Sequence, residues 1–238
     1  MALPKISHPL FDVTIPSTNK KIKIRPMLVK EEKILLIAKS GGDPRDALTA
    51  VRQVVNNCIM DEKTDIDKLT TFDIEYLFIK IRAYSISNVS KVSYIDSEDE
   101  KTYEIEVNLD DVTVKFPENI SKNVKINDDI TVVMKYASSS LMTDDEFTQT
   151  DMNKYFDMLI AHCVDKIYQG DEVFDISDVP MIELQQYLEN EFDPMSYDKM
   201  RKFVLNMPRL NYEIKYTNSK GTERKILMTS LVDFFTLV

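Results

Sequence analysis

Residues 71–116 read TFDIEYLFIKIRAYSISNVSKVSYIDSEDEKTYEIEVNLDDVTVKF, and within this stretch the hydrophobic period changes from that of a helix to that of a strand. Ile74, Leu77, Phe78, Ile81 and Tyr84 recur at three- and four-residue steps, which predicts a helix over about 71–85 with one apolar face. From Val92 the step is two. Val92 and Tyr94 lie on one strand, Asp96 to Glu100 form an acidic turn, and Tyr103, Ile105, Val107 and Leu109 face inward on the return. Val112, Val114 and Phe116 continue the alternation, as do Ile130, Val132, Met134 and Tyr136. Helices followed by alternating strands place the chain in the α+β class.

Upstream, Phe11, Val13 and Ile15 alternate, Pro16 to Asn19 make a turn, and Ile22 and Ile24 return, giving a hairpin behind a proline-punctuated segment with Pro4 and Pro9. A helix over about 28–39 stops at Gly41-Gly42, and Asp43-Pro44 starts the next, with Asp as N-cap and Pro at the first helical position. That helix carries Ala47, Leu48, Val51, Val54, Val55, Cys58 and Ile59 on one face.

Downstream, a helix is expected over about 151–168, with Met152, Tyr155, Phe156, Leu159, Cys163 and Ile167 inward and Gly170 as its stop. Another follows over about 178–191, and Asp193-Pro194 repeats the earlier start signal. A hairpin of Tyr212 to Tyr216 and Ile226 to Met228 leads to an apolar tail, Leu231 to Val238.

The expected architecture is therefore α+β: two similar helix-helix-hairpin halves with an extended N-terminal arm. The divisions are 1–26 (arm and hairpin), 27–137 (first half) and 138–238 (second half with the C-terminal hairpin and tail). Cys58 followed by Asp65-Ile66-Asp67 has an echo in Cys163 followed by Asp175-Ile176-Ser177, the pattern a duplication would leave.

Composition narrows the function classes. The chain of 238 residues is 43% hydrophobic and 29% charged, which is the balance of a folded globular protein. Its net charge of -10 repels a phosphate backbone, so nucleic acid is not an expected partner. Lys20, Lys21, Lys23 and Arg25 alternate with Ile22 and Ile24 and read as the solvated face of a strand. Residues 1–16 contain no apolar run of signal-peptide length, and no window reaches the ~18 apolar residues of a membrane span. Cys58 and Cys163 both fall on apolar helix faces and read as small buried hydrophobes in a reducing compartment.

The catalytic signatures fail together. Of the two histidines, His8 lies in the arm and His162 adjoins Cys163, where sequence neighbours on a helix diverge. Two Cys and two His, widely spaced, make no zinc site. Asp61, Asp65 and Asp67 lack the glycine that a calcium loop needs at its sixth position, where Ile66 stands. Gly41-Gly42 is followed by no Lys-Ser or Lys-Thr, so it is no phosphate loop. The expectation is a non-enzyme without metal or cofactor, whose function is to bind other proteins.

Three blocks carry a family resemblance. The first is Leu3 to Ile6, Ile15 to Thr18, Ile24 to Pro26 and Leu28 to Leu36; the second is Leu69 to Arg82; the third is Leu231 to Phe235. Together they resemble the baseplate hub family of T-even-like contractile-tailed phages, which includes hub subunits and hub assembly factors. The resemblance implies a structural component of the hub, assembled in the host cytoplasm and kept in the virion. Its partners would be other hub, spike or tail-tube proteins, with further copies of the chain as another candidate. The alternatives are a hub assembly chaperone absent from the finished particle, and an enzyme with an unrecognised site. The candidate contact residues are Pro9 and Phe11 on the arm and Leu231, Phe234 and Phe235 on the tail. Two roles stay open for that tail: a last helix packed on its own hairpin, or a plug inserted into a neighbouring subunit.

Overall fold

The structure is a computed structural model that describes residues 4, 6–144, 147 and 152–234. The chain makes two compact units, one from the residues up to Lys115 together with those from Arg209 onward, the other from Phe116 to Pro208.

In the first unit, β1 (Phe11–Thr14) and β2 (Lys21–Ile24) form an antiparallel hairpin. Three helices follow: α1 (Val29–Gly41), α2 (Pro44–Cys58) and α3 (Thr71–Ser85). The caps explain where they begin. Asp43 accepts the Arg45 N–H ahead of Pro44 at the start of α2, and Thr70 and Asp73 cap each other's backbone at the start of α3. Asp73 also accepts the Ser17 N–H at 2.9 Å, which pins the β1–β2 turn to the start of α3. Gly42, at φ 73°, ends α1 in the left-handed conformation.

Then come β3 (Val89–Ile95), β4 (Thr102–Asn108) and β5 (Thr113–Lys115). The β3–β4 register sets Tyr94 opposite Tyr103 and Val92 opposite Ile105. The core is built around α3, whose Leu77, Ile79 and Ile81 are fully buried, with Val13, Ile24, Val54, Cys58, Val107 and Leu210 packed about it.

The second unit has its own core. β6 (Asn123–Lys125), β7 (Ile130–Met134), β8 (Val164–Gln169) and β9 (Glu172–Asp175) form an antiparallel sheet in that order. Packed with it are α4 (Met152–His162), α5 (Met181–Glu191) and α6 (Pro194–Leu205). Val132, Met134, Ile160, Val164, Leu184, Leu188, Met200 and Phe203 fill the centre. The chain then returns to the first unit as β10 (Arg209–Thr217), β11 (Glu223–Met228) and α7 (Leu231–Phe234). β10 lies between β11 and β5.

This overturns the expected duplication. Among the described residues there are seven helices and eleven strands in four sheets, and the two units differ in the order of their elements. The C-terminal hairpin does not close a second half, because β10 pairs with β5 and completes the first unit. The N-terminal hairpin is not part of an arm either: Val13, Ile15, Ile22 and Ile24 are buried in the core, which leaves the chain ahead of Phe11 outside the hairpin. The helix expected over 151–168 stops at His162. Val164 and Ile167 fit a helical stripe by spacing, but they are buried on a strand that β7 and β9 flank.

The second unit leaves after Lys115 and returns at Arg209, and these two residues are direct partners in the β5–β10 ladder. A two-residue Asn-Gly turn has the geometry to join such a pair. Replacing 116–208 by Asn-Gly should therefore leave a first unit that unfolds cooperatively with native near-ultraviolet circular dichroism. A broad, non-cooperative melt would show that its core depends on the second unit.

Candidate functional site

The arm meets the body at Phe11, whose ring stacks on Tyr84 of α3 with centroids 4.0 Å apart and planes 3° from parallel. Ahead of it, Pro4, Ile6, Ser7, Pro9 and Leu10 are exposed, and Ile6 keeps 77% of its surface in water. The described residues ahead of Phe11 thus form an exposed strip carrying Ile6 and Leu10, joined to the body where Phe11 pairs with Ile24 and stacks on Tyr84.

The tail candidates lie differently. Leu231 and Phe234 are buried in the first unit's core, Phe234 completely, and its ring meets Tyr212 edge-on at 6.2 Å. α7 is held by polar contacts at both ends. Asp233 accepts the Thr229 and Ser230 N–H groups at 2.7 and 2.9 Å, and the Ser90 hydroxyl reaches the Phe234 carbonyl at 3.4 Å. Phe235 lies outside the described residues.

Glu75 of α3 accepts the Leu231 N–H at 3.2 Å. Burial pushes its carboxyl up to about 7; the Leu231 N–H pulls it down, and the nearby Asp233 charge raises it further. A folded-state value above the unfolded one means that the folded protein holds this proton more tightly. The contribution is most stabilising below the unfolded value, falls as pH rises through about 7, and is level above that. Glu75→Gln keeps an acceptor for Leu231 without the buried charge. It should gain on the order of 2 kcal/mol in urea unfolding at pH 8 and little at pH 5. Equal gains at both pH values would contradict this account.

At the other end of the unit, the tips of the β3–β4 and β10–β11 hairpins are clasped by polar groups. Asp96, almost fully buried, accepts from the Tyr216 hydroxyl and from Arg224. Asn218 donates to Glu98 at 2.7 Å, and the Ser219 N–H and hydroxyl donate to Asp99 at 3.0 and 2.8 Å. The Tyr216 and Arg224 hydrogen bonds hold the Asp96 carboxyl well below its ordinary value. These carboxylates tie hairpin to hairpin, so the acidic turn is structural.

The reactive groups named from sequence are occupied or buried. Burial pushes the Cys58 thiol up to about 11 and the Cys163 thiol up to about 12, far from an activated nucleophile. Asp61 pairs with Lys20 at 2.7 Å, Asp65 caps a short 3-10 turn, and Asp67 pairs with Arg52. Among the described residues, no group of three His, Cys, Asp or Glu could hold a metal ion. In the second unit a cleft of about 690 Å³ opens between α4, α5 and α6. Met158, Leu188 and Phe192 line it, and at its rim the Tyr197 hydroxyl donates to Asp157 at 2.6 Å. Lys154 and Glu189 also line it. Among the described residues, no helix is long and apolar enough to cross a membrane.

Large apolar side chains exposed to water include Ile6, Val29, Leu36 and Ile37. The family model described as T4 bacteriophage base plate protein matches residues 8–236. The chain belongs to the T4 bacteriophage base plate protein family. No curated protein and no solved structure matches it significantly. As a baseplate protein it is a structural component of the phage tail, and membership implies interaction with other baseplate proteins. The match runs from His8 to Thr236, so it takes in both units and all five candidate contact residues.

Proposed function

We propose that this baseplate protein is a component of the central hub of a contractile tail, non-enzymatic, assembled in the host cytoplasm and retained in the virion. The observation that carries the reading is the arm. Pro9, Leu10 and Ile6 are exposed, while Phe11 fixes the point where the strip leaves the body. A strip of this kind, with proline already limiting its freedom, loses little entropy on docking. It would lie along a neighbouring hub, spike or tube protein, with Pro9 at the contact and Phe11 as its anchor. Leu231 and Phe234 would engage a neighbour only by leaving the core on assembly, and Phe235 would contribute to the same contact. The three blocks of resemblance to hub proteins support the hub over other baseplate positions, and two buried thiols suit assembly in a reducing compartment.

Quantitative mass spectrometry of purified virions tests the reading. Peptides in a fixed ratio to hub and spike proteins are expected. Virions lacking the chain, from cells in which its removal blocks tail formation, would identify an assembly factor instead. An arm deletion through Leu10 should leave the isolated protein folded and remove it from the particle.

A further inference from the structure

α1 is apolar on two sides. Ile34 and Leu35 pack against the core and Glu31 is fully buried, which defines the inner face. At 100° per residue, Val29, Leu36 and Ile37 fall on the opposite side, close to Lys33 and Ser40. Those three side chains keep 66%, 56% and 74% of their surface in water. A helix that only packs on its own domain has a polar outer face. Here the run Ile34-Leu35-Leu36-Ile37 spends two of its four apolar residues on solvent. Clustered exposed apolar side chains mark interaction surfaces.

The charges around this stripe say what covers it. Lys33 and Lys39 stand on the exposed side against one acid of the helix there, Glu32, and Lys30 flanks them while reaching the buried Glu31 at 3.5 Å, in a chain whose net charge is -10. This is a basic rim on an acidic protein. A symmetric contact between two copies through this face would set the same lysines against one another. We infer that the outer face of α1 docks another baseplate protein through an apolar patch rimmed by Asp and Glu. The inference rests on the family-level reading that the chain binds baseplate proteins, and it supplies a surface and a partner chemistry distinct from the arm.

The test is co-expression of the tagged full chain with the other baseplate proteins of the same phage, followed by purification and mass spectrometry of what is retained. Two variants are compared with the wild type: Leu36→Asp with Ile37→Asp, and Lys33→Glu with Lys39→Glu. All four positions are exposed, so melting temperatures should stay near that of the wild type. The expected result is a baseplate protein retained by the wild type and bound about tenfold or more weakly by each variant. Retention should also fall as salt rises. Undiminished retention by both variants would overturn the inference. Loss with the aspartates but not with the charge reversal would overturn the acidic partner chemistry. Light scattering that shows wild-type self-association, abolished in both variants while other partners stay bound, would assign the face to a second copy instead. If the wild type retains no baseplate protein at all, the functional reading fails and takes this inference with it.

Discussion

Phe234→Ala is expected to cost the isolated protein about 3–5 kcal/mol of unfolding free energy, read from urea denaturation. Phe234 has no exposed surface, and its neighbours are fixed strands and α3, which cannot collapse into the space left behind. The loss therefore combines the transfer of an aromatic ring to water with the cavity that remains. α7 spans only Leu231–Phe234 and cannot hold itself together, so the ring is its main anchor, with the Asp233 cap as support. The measurement also separates two roles for the tail. A large loss means that the tail completes the first unit's core and must be displaced before it can bind anything. A loss below about 1 kcal/mol would mean that Phe234 is not seated in the free protein, and would restore the plug as its role.

How much of this was legible in the sequence differs by element. α3 was, because its apolar residues follow one period over the whole helix. The Asp-Pro signals placed the starts of α2 and α6 correctly, since the side chain that caps and the ring that fixes φ are local. The β3–β4 hairpin was legible from alternation on both sides of one acidic turn. What failed was non-local. The pairing of Leu210 with Val114 brings together residues 96 positions apart, and no periodicity announces it. Without it, the C-terminal hairpin looked like the end of a second half. The boundary of the second unit was equally silent, because no Gly- or Ser-rich linker stands there; Pro117 and Pro208 flank it, and neither is distinctive in a chain with nine prolines. β8 was misread because Cys163 and Ile167 are four apart and satisfy a helical stripe, while the register shift between Val133 and Met134 leaves Asp165 as an extra residue and spaces the buried Val164 and Ile167 by three.

At the candidate site, the sequence offered Pro9 and Phe11 as contacts, and the structure places one in solvent and the other on Tyr84. The exposed outer face of α1 was not legible. Four apolar residues in a row do not reveal which two the core will take.

Arg25 was read as solvated because it continues the Lys20–Lys23 alternation, and here the structure differs most in energy. Its guanidinium is turned inward, donating to Glu31 at 3.0 and 3.3 Å, to the Asn57 carbonyl at 2.8 Å and to the Pro26 carbonyl at 2.9 Å. Glu31, with no exposed surface, also accepts the Leu28 N–H at 2.8 Å and so closes the first turn of α1. One ion pair thus joins the end of β2 and the ends of two helices. Burial raises the Glu31 carboxyl, but the Arg25 and Leu28 hydrogen bonds outweigh it and leave the group below its ordinary value. Its contribution is therefore present above the unfolded value and is lost as pH falls through the folded one. Glu31→Ala should cost about 3–5 kcal/mol at pH 7, because it strands a guanidinium that has only 11% of its side chain in water. Replacing both partners, Arg25→Met with Glu31→Leu, removes the stranded charge along with its counter-ion and should cost much less than the single change. Urea unfolding of the wild type, both single variants and the double variant measures the coupling. A double variant as unstable as the two single losses added together would mean that the pair is not coupled, and that the three segments are held by apolar packing alone.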